Sequence, residues 1–133
     1  MKALVIIERG NDGTFGAYIG SDNVPYGILG DGKTAQEAKE DFMNSYNEMR
    51  EYYAEIGKEF VACDFEFQYD IPSFLQYYSK YLSLAGMERL TGVNQTLLGH
   101  YIAGRRKPGP KTIGKIKTSI NEFGKELQHL EFA

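Results

Sequence analysis

Residues 83–110, SLAGMERLTGVNQTLLGHYIAGRRKPGP, decide how the chain is read. Ser83 opens a helix, because its hydroxyl can accept from the free backbone N–H groups of a first turn. Leu84, Met87 and Leu90 recur every third residue along one face of that helix. Gly92 falls where the chain has to reverse, and glycine takes a positive φ without strain. Asn94 caps a second helix, Gln95 to Ala103, with Leu98, Tyr101 and Ile102 facing inward. Gly104 closes it, and the basic loop Arg105-Arg106-Lys107 follows.

Two short helices around a tight turn, the second with polar residues outward, are the layout of a helix-turn-helix. Its second helix enters the DNA major groove. The stretch resembles the Cro/λ-repressor type in Leu90-Thr91-Gly92-Val93-Asn94-Gln95, then in Leu98, Tyr101, Gly104 and Lys107-Pro108. The resemblance implies that Gln95, Thr96, Gly99 and His100 face base edges. Asn94, Arg105, Arg106, Lys107 and Lys111 are the expected phosphate contacts. Glu88 departs from the pattern, standing four residues before the turn glycine where alanine is usual. Either its charged head reaches solvent past the helix crossing, or the first helix is shifted in register.

Charge is sorted along the chain. Residues 1–69 carry 6 Lys+Arg against 13 Asp+Glu, a net of −7, whereas residues 70–133 carry 9 against 5, a net of +4. No acid occurs between Leu90 and Asn121, a span that holds Arg105, Arg106, Lys107, Lys111, Lys115 and Lys117. An acidic half joined to a basic half predicts two modules, 1–69 and 70–133, with different partners. Hydrophobic residues make up 42% of the 133, enough for a globular core. No apolar run approaches the ~18 residues that span a membrane. Met1 to Ile7 is followed by Glu8-Arg9 and reads as a strand, not a signal peptide. The single cysteine, Cys63, allows no internal disulfide. It sits on the apolar side of a half-buried strand, as core, and a cytoplasmic location is expected.

The acidic half alternates early. Ala3 to Glu8 is a strand, Asn11-Asp12-Gly13 a turn, and Phe15, Ala17 and Ile19 a second strand closing a hairpin. Val24 to Leu29 reads as a third, edge strand, given Pro25 and Gly27. Thr34 and Glu37 form a capping box. The stripe Ala35, Ala38, Phe42, Tyr46, Met49, Tyr53, Ile56 marks a long helix ended by Gly57. Period two resumes from Phe60, with Val61, Cys63, Phe65, Phe67 and Tyr69 on one side. The expected fold is α+β: a β-β-β-α-β module followed by an all-α module.

This first module resembles the N-terminal domain of HicB antitoxins, a reduced ribonuclease-H-like fold. The matching residues are the hairpin with its Asp12-Gly13 turn and Gly30-Asp31 leading to Thr34, Glu37 and Ala38. HicB proteins often carry a Cro-type helix-turn-helix after this domain, so the two resemblances cover nearly the whole chain. They imply an antitoxin that neutralises a HicA-like, mRNA-cleaving toxin and represses its own operon by binding operator DNA. They imply no catalysis and no cofactor. Glu40, Glu48 and Glu51, on the outer face of the long helix, are the candidate toxin contacts. The alternative is a repressor whose acidic domain senses a small ligand or a different protein.

Three other patterns compete. Gly27 to Thr34 matches the phosphate-loop spacing GxxxxGK[ST], but its preceding strand, VPYGIL, is not the long apolar run of a buried parallel sheet. His100 and His129 fall on different helices with no cysteine near, which argues against zinc. Glu8, Asp64 and Glu66 would have to converge for two-metal nuclease chemistry.

The basic half opens on Asp70-Ile71-Pro72-Ser73, with Ile71, Phe74, Tyr78 and Leu82 as an inner helix face. It closes on Ile113, Ile116, Ile120, Phe123, Leu127 and Leu130, a heptad-like seam on a helix starting near Pro110. That seam either packs within the chain or joins two copies. A homodimer or larger even assembly is expected, because repressors of this kind bind paired half-sites.

Overall fold

The computed structural model describes residues 1–133 throughout. The class is α+β, with a four-stranded mixed sheet and five α-helices. The chain divides into two compact units, Met1–Tyr77 and Tyr78–Ala133. No helix is long and apolar enough to cross a membrane.

In the first unit, β1 (Lys2–Arg9) pairs antiparallel with β2 (Phe15–Ile19), which pairs antiparallel with β3 (Leu29–Gly32). Helix α1 (Ala35–Glu55) then carries the chain across to β4 (Asp64–Tyr69), parallel to β1. The sheet order is therefore β3-β2-β1-β4. Alternation decides the buried side: Ala3, Val5 and Ile7 of β1 and Phe15 and Ala17 of β2 are buried with Ala35, Ala38, Phe42 and Tyr46 of α1. Phe65 and Phe67 stand edge-on to the Phe42 ring at 5.1 and 6.5 Å between centroids. The Thr34 side chain caps α1 by accepting from the Glu37 N–H at 3.1 Å, as its spacing predicts.

Two expectations are corrected here. The third strand is not Val24 to Leu29 but Leu29–Gly32, and it does lie at an edge. Residues 24–28 form no strand; Tyr26 stacks on Phe60 at 5.0 Å, and Ile28 enters the core. Gly-Asp-Gly has poor strand propensity, but α1 passes so close that only glycine fits beneath it. A Cβ on Gly30 would lie 2.4 Å from the Ala38 carbonyl oxygen, and one on Gly32 2.6 Å from the Ala38 nitrogen.

The helix after β4 also sits differently. Helix α2 (Ile71–Tyr77) belongs to the first compact unit, so the division falls after Tyr77 and not after Tyr69. Asp70 explains this. One carboxylate oxygen accepts from the Ser73 N–H and the other from the Arg9 N–H, each at 2.9 Å, which ties the start of α2 to the end of β1. Its buried residues are Ser73 and Leu75 rather than Phe74, and it ends before Tyr78.

The second unit contains α3 (Leu84–Thr91), α4 (Gln95–Ala103) and α5 (Pro110–Gln128). Met87, Val93, Leu98, Tyr101 and Ile116 are its buried apolar residues. Ile116 is the only member of the α5 seam that is buried; Ile120 and Phe123 are half-buried, and Ile113, Leu127 and Leu130 are exposed.

The glycine contact yields a prediction. Gly30→Ala should destabilise the first unit by about 2–3 kcal/mol, since backbone atoms on α1 cannot move aside as a side-chain tip would. Urea unfolding followed by circular dichroism measures it.

Candidate nucleic-acid interface

Local bonds fix the geometry of α3 and α4. The Ser83 hydroxyl accepts from the Gly86 N–H at 3.0 Å and opens α3. Gly92 ends α3 in the left-handed region, φ 73°, and its N–H donates to the Glu88 carbonyl at 2.7 Å. The buried Thr91 hydroxyl donates to the Met87 carbonyl at 2.7 Å and accepts from the Val93 N–H at 3.1 Å. The Gly92 and Val93 N–H groups and the Thr91 hydroxyl are thereby given partners before Val93 turns into the core. Asn94 Oδ1 accepts from the Thr96 N–H at 2.7 Å and starts α4.

With α4 held in this way, Leu98 and Tyr101 point into the core and the opposite side faces out. An open groove of about 470 Å³ is lined by Leu84, Glu88, Asn94, Gln95, Thr96, Gly99, His100 and Arg105. All four expected base-facing residues are in it, together with two of the expected phosphate contacts, Asn94 and Arg105. Arg106, Lys107 and Lys111 do not line it; they are exposed on the following loop and the first turn of α5. Gly104 closes α4, and the Arg105 N–H bonds the His100 carbonyl at 2.9 Å, so the basic loop starts from a fixed point on α4.

Glu88 resolves the open question of register. The first helix is where the spacing predicts it, and the Glu88 head reaches past the crossing. Its Oε1 accepts from the Gln95 N–H at 2.9 Å. That bond was not legible in the sequence; its one signal was an acid where a small residue is usual. Lys115 was read only as part of a basic run. Its Nζ lies over the turn, 3.2 Å from where a Gly92 Cβ would stand.

The other candidates fall in the first unit. Glu40, Glu48 and Glu51 are exposed on α1, and Glu40 accepts from Gln36 at 3.0 Å. The phosphate-loop match is not a loop. Residues 29–32 are extended and paired with β2, and the Lys33 N–H donates to the Glu37 carboxylate at 2.8 Å. The surrounding side chains are acidic: an open hollow there is lined by Asp12, Asp31 and Glu37 as well as Lys33. Hydrogen bonds from the Thr14 hydroxyl and N–H hold the Asp12 carboxyl below its usual pKa. Glu8, Asp64 and Glu66 do not converge. Glu66 is level with Leu4, four residues along β1 from Glu8, or roughly 13 Å at the rise of a strand.

Set against family models, curated proteins and solved structures, the chain matches none.

Gly92→Ala should cost about 1–2 kcal/mol, the penalty of a left-handed conformation for a residue with a Cβ. The loss should appear as a lower midpoint in urea denaturation.

Proposed function

We propose that the chain is a HicB-like antitoxin: a DNA-binding repressor whose acidic first unit holds a basic toxin of the HicA kind. The observation that carries the DNA reading is the groove on α4. Gln95, Thr96, Gly99 and His100 come to one outward face, and Arg105 lines the same groove. The glutamine amide can pair bidentately with adenine, and threonine and histidine can bond neighbouring base edges in a major groove. Arg106, Lys107 and Lys111, exposed beyond the groove, suit phosphates.

The partner reading rests on charge. Residues 1–77 hold 6 Lys+Arg against 14 Asp+Glu, a net of −8, and residues 78–133 hold 9 against 4, a net of +5. An acidic surface repels nucleic acid and attracts a basic protein at long range, and an enzyme that grips RNA is basic. Glu40, Glu48 and Glu51 remain the proposed contacts.

The assembly is a homodimer through α5. Ile113 and Leu127, two heptads apart on α5, are 41% and 49% exposed, and Leu130, just past the end of the helix, is 52% exposed. A second copy offers the same spacing, and two copies read paired half-sites one helical turn apart.

Gel-shift titration on the chain's own promoter fragment tests the DNA reading. Gln95→Ala should weaken the specific site by about 1–3 kcal/mol and barely alter non-specific binding. Arg106→Ala should weaken both and reduce the salt dependence. Absence of salt-sensitive binding by the unaltered protein would contradict the reading. For the dimer, light scattering at tens of micromolar should give twice the 15.0 kDa chain mass. Leu127→Asp should halve it.

A further inference from the structure

The candidate DNA-facing groove contains one acid. Glu88 lines it beside Gln95, Thr96, His100 and Arg105. It is the sole acidic residue between Tyr78 and Asn121, in a unit whose net charge is otherwise strongly positive. Its place is fixed: α3 supplies the backbone, and the 2.9 Å bond from the Gln95 N–H holds Oε1. The bond sets one carboxylate oxygen against the start of α4, within the face that Gln95 and Thr96 present.

We propose that Glu88 is a specificity determinant, which penalises non-specific DNA more than the preferred site. The inference rests on the DNA-binding reading above. Non-specific binding is almost wholly attraction between cations and phosphates. A fixed negative charge inside the contact surface subtracts from that attraction whatever the sequence. At the preferred site, base edges come into register with α4. The major groove there presents the amino groups of adenine and cytosine, which donate to a carboxylate oxygen. Oε1 is held by Gln95, so Oε2 is the atom that receives such a donor. The repulsion is then offset by a bond that a mismatched duplex does not supply.

Glu88→Gln tests this, because it removes the charge and keeps an oxygen acceptor for the Gln95 N–H. The probes are two duplexes of equal length: the preferred sequence recovered by selection from a random pool, and a scrambled one. Fluorescence anisotropy at ~0.1 M salt reads both. The scrambled duplex should bind the variant about five-fold more tightly, the scale of one unit-charge repulsion across about 4 Å of water. The preferred duplex should gain less than two-fold, so the ratio between them falls. Glu88→Ala, which has neither charge nor amide, should shift the ratio in the same direction. Equal gains on both duplexes would overturn the claim, and so would unchanged or weaker binding to the scrambled one. If the unaltered protein binds DNA and the variants match it, only the role of Glu88 is lost. If none of the three binds any duplex, the DNA reading and this inference fall together.

Discussion

The reversal at Gly92 is the constraint on which the presenting face of the second unit depends. Three residues, Gly92 to Asn94, separate the last turn of α3 from the first of α4. That is enough only if one of them is left-handed, and Gly92 is, at φ 73°. Thr91 supplies the two bonds that make the reversal tolerable in a buried place. Met87, Val93, Leu98, Tyr101 and Ile116 are the apolar residues this unit buries. The outward side of α4 follows from that without further choice. Shape comes first here, and the chemistry of Gln95, Thr96 and His100 is carried on it.

The first unit is governed by a different closeness. Helix α1 lies on the edge strand β3 with no room for a side chain at Gly30. Ala35, Ala38 and Phe42 are consequently shut off from water, and the four-residue strand holds its pairing to β2 although its composition opposes it. Asp70 then ties α2 into the unit, because one carboxylate accepts from both the end of β1 and the first turn of α2. Charge adds little to this architecture. It bears on the proposed partner, since the acids lie mostly on exposed positions of α1 and the strands.

Much of this was legible in the residues. Periodicity located α1, α3, α4 and α5, and the capping residues Thr34, Ser83 and Asn94 do what their spacing predicts. The outward set Gln95, Thr96, Gly99 and His100 is what the resemblance to Cro/λ-repressor helix-turn-helices implies, and the four line one groove. What escaped the sequence was non-local. The third strand was misplaced because Gly30 and Gly32 are chosen by a helix that follows them, and propensity sees only the strand. The boundary at Tyr77 was missed because the bond from Arg9 to Asp70 joins residues 61 apart. Glu88 was noticed as a departure, but its acceptor role needed the position of Gln95 in space. The α5 stripe buries Ile116 and leaves Leu127 in solvent, and Leu130 falls outside it because the helix ends at Gln128.

The proposed function places DNA on the outward face of α4 and on the loop behind it. Amide chemical-shift mapping of the isotopically labelled full chain, titrated with its own promoter duplex, tests it most directly. The largest shifts should fall on Asn94 to His100 and on Arg105 to Lys111, while residues of the first unit's sheet scarcely move. Shifts concentrated on residues 1–77, or none at saturating duplex, would contradict it.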